Sequence, residues 1–251
     1  MENRFKAQVA VVTGGARGIG AGIGERLAAE GAKVILWDIL ADPLQATVMS
    51  LREKGLNISG KIVDITRESE VKAGFAAVEE KEGRLDIVIN SAGIIGPSST
   101  KITDYSYEDF RRVVEINLNA SFLVTKYAIP LMEKNNYGRI LLVASIGGKE
   151  GNPGMAGYAA SKSGVIGLVK GIGKEYAGTG ITVNGLAPAV ISTPMNLDTD
   201  PQMLQYMMDK IPMKRLGTVE EVASLAAWIV SPEASFNTGF VFDLSGGRAT
   251  Y

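Results

Sequence analysis

Tyr158-Ala-Ala-Ser-Lys162 sets a phenol and an ammonium four residues apart. On a helix that spacing stacks both side chains on one face, so the Lys162 ammonium can lie beside the Tyr158 hydroxyl. A phenol ordinarily titrates near pH ~10. A neighbouring positive charge favours the ionised form and draws the value toward neutrality, giving a base able to take a proton from an alcohol. Ser145, closing the apolar run over residues 140–145, could give the reacting oxygen a second hydrogen bond. Taken alone, a tyrosine and a lysine at this spacing are most often ordinary residues of a surface helix. The remainder of the chain has to supply their setting.

Composition narrows the chemistry further. The 251 residues are 46% hydrophobic and 21% charged, which suits one soluble domain over residues 1–251 with a sizeable core. Twenty-six basic residues against 27 acidic ones leave a net charge of -1, so no electrostatic reason exists to expect nucleic acid or a membrane surface as partner. Cysteine and histidine are both absent, which excludes disulfides, thiolate chemistry, histidine-based metal sites and every Ser/His or Cys/His triad. Acid–base work near neutral pH therefore falls to a shifted Tyr, Lys, Asp or Glu, and no metal is expected. No apolar run approaches the ~18 residues of a membrane span, and residues 1–6 lack the apolar core of a signal peptide. A cytoplasmic location is the expectation.

Several elements must position the tyrosine and lysine. Residues 8–13 form a nearly all-apolar run, the pattern of a strand buried on both faces of a parallel sheet. The run leads into Gly14-Gly-Ala-Arg17-Gly18-Ile19-Gly20 and then a helical pattern that stops at Gly31. Glycine permits a tight turn and close approach of a ligand, and the free N–H groups of a helix start favour an anion such as pyrophosphate. Glycines can also serve such a turn for steric reasons alone, but the order strand, turn, helix points to a dinucleotide site.

A second strand over residues 33–38 ends in Asp38, where a carboxylate would accept hydrogen bonds from ribose hydroxyls and repel a 2′-phosphate. Asp38 thus points to NAD, whereas Arg17 is a cation able to meet that phosphate. Further strands are predicted over residues 58–64, 85–90, 140–145, 181–187 and 240–244. Asp64 ends one of them, where it suits either an adenine contact or a helix cap. Asn90, Ser91, Ala92 and Gly93 end the next with residues small enough to let a cofactor pass. Helical patterns cover residues 69–82, 107–134 and 158–176. Asn117 falls on or near an apolar stripe, either as a buried structural amide or as part of a proton relay. Residues 188–193 form a loop beyond a strand end, where open α/β sheets bind ligands. Met195, Met203, Met207, Met208 and Met213 suit either a flexible lid or ordinary core filling. Thr218-Val-Glu-Glu221 is a capping box that opens a final helix.

Strands alternate with helices throughout, so the expected fold is α/β, a doubly wound, Rossmann-like parallel sheet of about seven strands. In this order and spacing, Thr13 to Gly20, Asp64, Asn90-Ser-Ala-Gly93, Asn117, Ser145, Tyr158-x-x-x-Lys162 and Pro188 to Thr193 resemble the short-chain dehydrogenase/reductase family over essentially the whole chain. Two positions depart from the family pattern: Ser91 stands where a second Asn is usual, and Ala189 where a Gly usually follows the proline.

The resemblance implies a role for each matched residue. Tyr158 would be general base in alcohol oxidation and general acid in carbonyl reduction. Lys162 would lower its pKa and bond the nicotinamide ribose, Ser145 would orient the substrate oxygen, and Asn117 would hold a water linking Lys162 to solvent. Gly14, Arg17, Gly18, Ile19 and Gly20 would cradle the pyrophosphate side, and Asp38 the adenosine ribose. Asp64 and Ile65 would meet the adenine, Asn90, Ala92 and Gly93 the central cofactor, and Ile191 and Thr193 the carboxamide. A homotetramer also follows from the resemblance.

For the substrate, the loop over residues 147–155, the methionine-rich segment and the C-terminal tail look similar to bacterial family members acting on 2-keto-3-deoxy sugar acids. The expected small-molecule substrate is such an acid, for example 2-dehydro-3-deoxy-L-rhamnonate, its secondary hydroxyl oxidised with NAD. A substrate carboxylate wants a cation, and Lys149 and Arg248 are the candidates, the latter across a subunit interface. The competing readings are an NADPH-dependent 3-oxoacyl-thioester reductase and a non-catalytic dinucleotide-binding protein.

Overall fold

In the computed structural model, which describes residues 3–193 and 201–250 without the side chains of Pro201 and Met203, a seven-stranded sheet runs through the molecule. Its order is β3-β2-β1-β4-β5-β6-β7 and every neighbouring pair is parallel. The strands are β1 (Val9–Thr13), β2 (Lys33–Asp38), β3 (Ile58–Ile62), β4 (Ile87–Asn90), β5 (Gly138–Val143), β6 (Ile181–Pro188) and β7 (Val241–Leu244). Helices α1 (Gly18–Ala29), α2 (Ala41–Glu53), α3 (Glu68–Glu82), α4 (Tyr107–Val114), α5 (Ala120–Glu133), α6 (Ile146–Glu150), α7 (Ala156–Glu175), α8 (Pro201–Asp209) and α9 (Val219–Ile229) accompany them.

Hydrophobic cores lie on both faces, which is why the central strands read as unbroken apolar runs. One core packs Val9, Val11 and Val88 against Phe75, Val124 and Val169. The other packs Ala10, Val12 and Ile89 against Ile23, Leu27 and Ala226. Chain order along the sheet reverses between β1 and β4, and the register places Thr13 beside Asn90 at their last paired position. Open sheets of this kind bind ligands in a crevice at the strand C-terminal ends where the order reverses.

Local differences from the sequence expectation have physical causes. Helix α2 lies in a stretch the sequence reading leaves without an element. Its buried residues, Leu44, Val48 and Leu51, keep helical spacing within an otherwise polar segment. Strand β5 stops at Val143 instead of Ser145, and Ser145 caps the short α6 by accepting from the Gly147 N–H at 3.0 Å. The long predicted helix divides at Glu115–Asn119, one turn of wider π geometry between α4 and α5. Ala189 is accommodated without a positive φ, its N–H donating to the Leu244 carbonyl at 2.9 Å. The capping box at Thr218 and Glu221 is present with both reciprocal hydrogen bonds.

Candidate active site

At the crevice, Gly14 and Gly18 take left-handed conformations, with φ of 65° and 60°. A Cβ at Gly14 would stand 2.9 Å from the Ala92 backbone, so the loops after β1 and β4 touch and only glycine fits between them. A Cβ at Gly20 would strike the Gly14 carbonyl, which fixes how closely α1 follows its strand. Arg17 occupies the N-cap of α1 without a side-chain cap, leaving the first-turn N–H groups to an anion. Asp38, half-buried at the end of β2, accepts from the Ala16 N–H and the Leu40 N–H, each at 3.0 Å. This cradle, with a carboxylate standing where the second strand ends, fits the pyrophosphate and adenosine ribose of a dinucleotide. Asp64 bonds the Thr66 N–H at 3.0 Å and the Thr66 hydroxyl at 2.7 Å, turning the chain toward α3, while the Ile65 side chain is buried in the core.

One cavity of about 360 Å³ joins the remaining candidates. Ile19, Gly93, Ile191 and Thr193 line it together with Ser145, Tyr158, Lys162 and Arg248. Ile191 is held there by a bridge to Gly217, whose N–H donates to the Val190 carbonyl at 3.0 Å. Met207 of α8 also faces this cavity, so part of the methionine-rich segment borders it as a lid would. Met195 lies outside the described residues, and Met213 is exposed rather than core-filling.

Tyr158 and Lys162 share a face of α7, with the Lys162 Nζ 5.9 Å from the Tyr158 ring centroid. The electrostatics correct the sequence expectation. Burial pushes the Tyr158 phenol above the ordinary tyrosine value, opposed by its hydrogen bond with Ser145. Lys162 is itself buried and is drawn down to about 8. Its ammonium donates to the Val143 carbonyl at 2.7 Å and does not offset the desolvation of the phenol. Burial thus favours the protonated phenol. Because the Ser145 oxygen already accepts from Gly147, its proton is free for the phenol or a substrate oxygen.

Asn117 settles as a saturated buried amide. Its Oδ1 accepts from the Ile94 N–H at 2.9 Å, and its Nδ2 donates to the Ile94 carbonyl at 2.9 Å and to the Ser161 hydroxyl at 3.0 Å. A Cβ placed on Gly93 would lie 3.0 Å from the Asn117 Oδ1 and 3.5 Å from the Lys162 Nζ, so these groups converge. The Asn90 side chain points into the protein and not into the cavity. It accepts from the Thr13 hydroxyl at 2.5 Å and donates to the Ser121 hydroxyl at 2.8 Å. Ser121 then donates to the Asn117 carbonyl at 2.6 Å, and Ser161 to the Tyr158 carbonyl at 2.8 Å. A continuous buried network thereby ties the cofactor crevice to the catalytic helix. Ser121 and Ser161 are not singled out in the sequence, where small hydroxyl residues carry no distinctive spacing, and Thr13 is named there only as the start of the glycine motif.

The two candidate cations separate. Lys149 does not line the cavity, because its ammonium is paired with Asp243 of β7 at 2.8 Å. Arg248 does line it, from its own chain rather than across an interface. Its Nη2 meets the Glu150 carboxylate at 2.9 Å and the Asn152 Oδ1 at 3.0 Å.

A doubly wound sheet with a glycine cradle at its switch point and a Ser-Tyr-Lys cluster beside it defines a dinucleotide-linked oxidoreductase. A family model described as enoyl-(acyl carrier protein) reductase matches residues 14–249. The chain is 42% identical over 249 residues to the 2-dehydro-3-deoxy-L-rhamnonate dehydrogenase (NAD(+)) of Sphingomonas sp. (strain SKA58), covering 99% of this chain and 98% of that protein. It is 36% identical over 244 residues to a 3-oxoacyl-[acyl-carrier-protein] reductase of Thermotoga maritima, covering 97% and 98%. A solved variant of actinorhodin polyketide ketoreductase with NADPH superposes with a TM-score of 0.91 at 34% identity, covering 100% of both chains. The chain belongs to the short-chain dehydrogenase/reductase family and is an enzyme acting on CH–OH groups. Among the described residues no helix is long and apolar enough to cross a membrane.

Proposed function

We propose that the chain is an NAD-dependent dehydrogenase oxidising a secondary hydroxyl of a 2-keto-3-deoxy sugar acid, with 2-dehydro-3-deoxy-L-rhamnonate as the leading candidate. The observation that carries this reading is one cavity bringing Ser145, Tyr158 and Lys162 together next to a cradle whose ribose end holds Asp38. Identity with the rhamnonate dehydrogenase supports the substrate class. When bound, NAD supplies the hydride acceptor and a positive charge beside the phenol.

Tyr158 takes the hydroxyl proton while Ser145 holds the same oxygen. The phenolate that this step needs would be favoured by the nicotinamide charge, because the Lys162 ammonium alone does not offset the burial of the phenol. The proton would then leave through Lys162 to a water held at the Asn117 backbone carbonyl, which also accepts from Ser121. In the reverse direction the acidic Tyr158 protonates the carbonyl oxygen. Ile19 and the first turn of α1 would hold the pyrophosphate, Asp64 and Ile65 the adenine, and Ile191 and Thr193 the carboxamide.

A second reading, an NADPH-dependent 3-oxoacyl-thioester reductase, is favoured by the exposed Arg17 and by identity with the Thermotoga reductase. Following nicotinamide absorbance with NAD and NADP across sugar acids, polyols and 3-hydroxyacyl thioesters separates the two. Preference for NADP and thioesters would overturn the first. The working form is proposed to be a cytoplasmic homotetramer. Exposed Phe122 beside the groove at Gly164 and Gly167, and exposed Phe240 at the edge strand β7, support subunit contacts there.

A further inference from the structure

We propose that Arg248 reads the substrate carboxylate, that Glu150 aims it, and that Asn152 bridges it to the reacting oxygen; this deepens the sugar-acid reading and rests on it. Arg248 is carried into the cavity by the C-terminal tail, which turns back through Gly246 and Gly247 at φ of 59° and 89°. The Gly246 carbonyl accepts from the Met213 N–H at 3.2 Å, and a Cβ on Gly247 would lie 3.2 Å from the Pro212 ring. The tail is therefore packed against the segment that follows α8.

The Arg248 side chain is only 5% exposed. Its Nε donates to the Glu150 Oε2 at 3.0 Å, and its Nη2 reaches the same carboxylate and the Asn152 Oδ1. Nη1 makes no hydrogen bond to the described residues. A guanidinium offers five donors in a fixed plane, so one carboxylate can hold its Nε edge while a second meets its far end. Glu150 and Asn152 engage Nε and Nη2, and Arg248, which lines the cavity, keeps Nη1 as a further donor.

Asn152 links this end to the chemistry. Because its Oδ1 accepts from Arg248, its Nδ2 is turned toward Gly147. A Cβ on Gly147 would lie 3.0 Å from that Nδ2 and 3.4 Å from both the Ser145 Oγ and the Tyr158 Cε1. A donor thus stands close to the reacting oxygen, with a guanidinium one residue beyond it. An alcohol with a carboxylate a few carbons from its hydroxyl spans the two. Charge-assisted hydrogen bonds to a carboxylate are the strong ones, so loss of this contact is read in substrate selection.

The test assays the parent, the neutral pair Glu150→Gln/Arg248→Gln, Arg248→Lys and Asn152→Ala. Substrates are 2-keto-3-deoxy sugar acids and their uncharged carboxamides, with NADH binding and thermal denaturation as checks on folding. The neutral pair should lower the acid-to-amide ratio of kcat/KM by about tenfold or more, mainly through KM. Arg248→Lys should recover part of that ratio, and Asn152→Ala should lower kcat/KM for acid and amide alike. Should the neutral pair fail to fold, Arg248→Lys, whose ratio should still fall below the parent's, carries the comparison. A parent active on sugar acids, with folded Arg248 variants whose ratio is unchanged, overturns this inference alone. A parent that oxidises no sugar acid overturns the sugar-acid reading as well.

Discussion

Removing the Asp38 carboxylate is expected to exchange the nucleotide preference at a modest cost in stability. Its two oxygens accept separately from Ala16 and Leu40, both backbone donors at 3.0 Å. Asp38→Ala frees both N–H groups beside the exposed Arg17, so a site that repels phosphate becomes one with two donors and a cation. Two unit charges about 4 Å apart interact by about 4 kcal/mol at an effective dielectric of about 20. Solvent access roughly halves this, and a 2′-phosphate carries more than one charge, so relief of about 2–4 kcal/mol is expected. That is a rise of about 30- to 1,000-fold in the NADP-to-NAD ratio of kcat/KM. Loss of two charge-assisted hydrogen bonds at a half-buried site destabilises by about 1–3 kcal/mol, lowering Tm by several degrees. Initial rates with each nucleotide, followed by nicotinamide absorbance, measure the first effect, and thermal denaturation the second. A parent that already prefers NADP, or a folded Asp38→Ala variant with an unchanged ratio, would refute the assignment.

Tyr158→Phe should lower kcat by about 100- to 10,000-fold while NADH fluorescence still reports binding, and a variant as active as the parent would remove the proton-transfer role. Ser121→Ala leaves the buried Asn90 Nδ2 without its acceptor and the Asn117 carbonyl without its donor. It should destabilise by about 1–3 kcal/mol in urea titrations and also reduce kcat, whereas an unchanged urea midpoint would deny the network its role. The nucleotide-free protein should also grow more stable as pH rises above 8. The Lys162 value is about 8 folded against 10.5 in its ordinary state, so the unfolded chain binds the extra proton across that window. Below pH 8 the penalty for burying the charge is fully present. Raising the pH from 8 to 9.5 should relieve about 2 kcal/mol of it, before tyrosine ionisation in the unfolded chain begins to oppose the trend. Urea midpoints across this range should climb in the parent and stay flat in Lys162→Met, and a parent without the slope would contradict the buried ammonium.

The parts of this fold legible in the sequence are those written in short-range patterns. Val9–Thr13 is buried along its whole length, and a strand covered on both faces has to be apolar throughout. The glycine cradle and the Tyr158–Lys162 pair are equally local, being set by spacing along one turn and one helix. Helix α2 escaped because Leu44, Val48 and Leu51 are its only buried anchors. The true end of β5 escaped because Ala144 stays buried beyond the strand. Its N–H still donates to the Leu186 carbonyl, so the apolar run outlasts the strand. The π turn at Asn117 shifts hydrogen bonding by one residue without altering the side-chain pattern, and nothing in the sequence marks it.

The substrate end follows a different logic. Lys149 and Arg248 are equivalent on paper, two candidate cations, one in the loop after Ser145 and one in the tail. What separates them is long-range: Asp243, 94 residues from Lys149 on the last strand, pairs with it, while Glu150 and Asn152 catch Arg248 from the other end of the chain. The tail reaches that point only because Gly246 and Gly247 fold it against Ile211 and Pro212. The hydride and proton machinery is therefore built at strand ends fixed by the sheet. The cavity wall proposed to select the substrate is instead built from loop, α8 and tail segments that meet only after the sheet has closed. Family-level chemistry can thus be read from motifs, whereas the alcohol this chain selects depends on how three distant segments pack around one cavity.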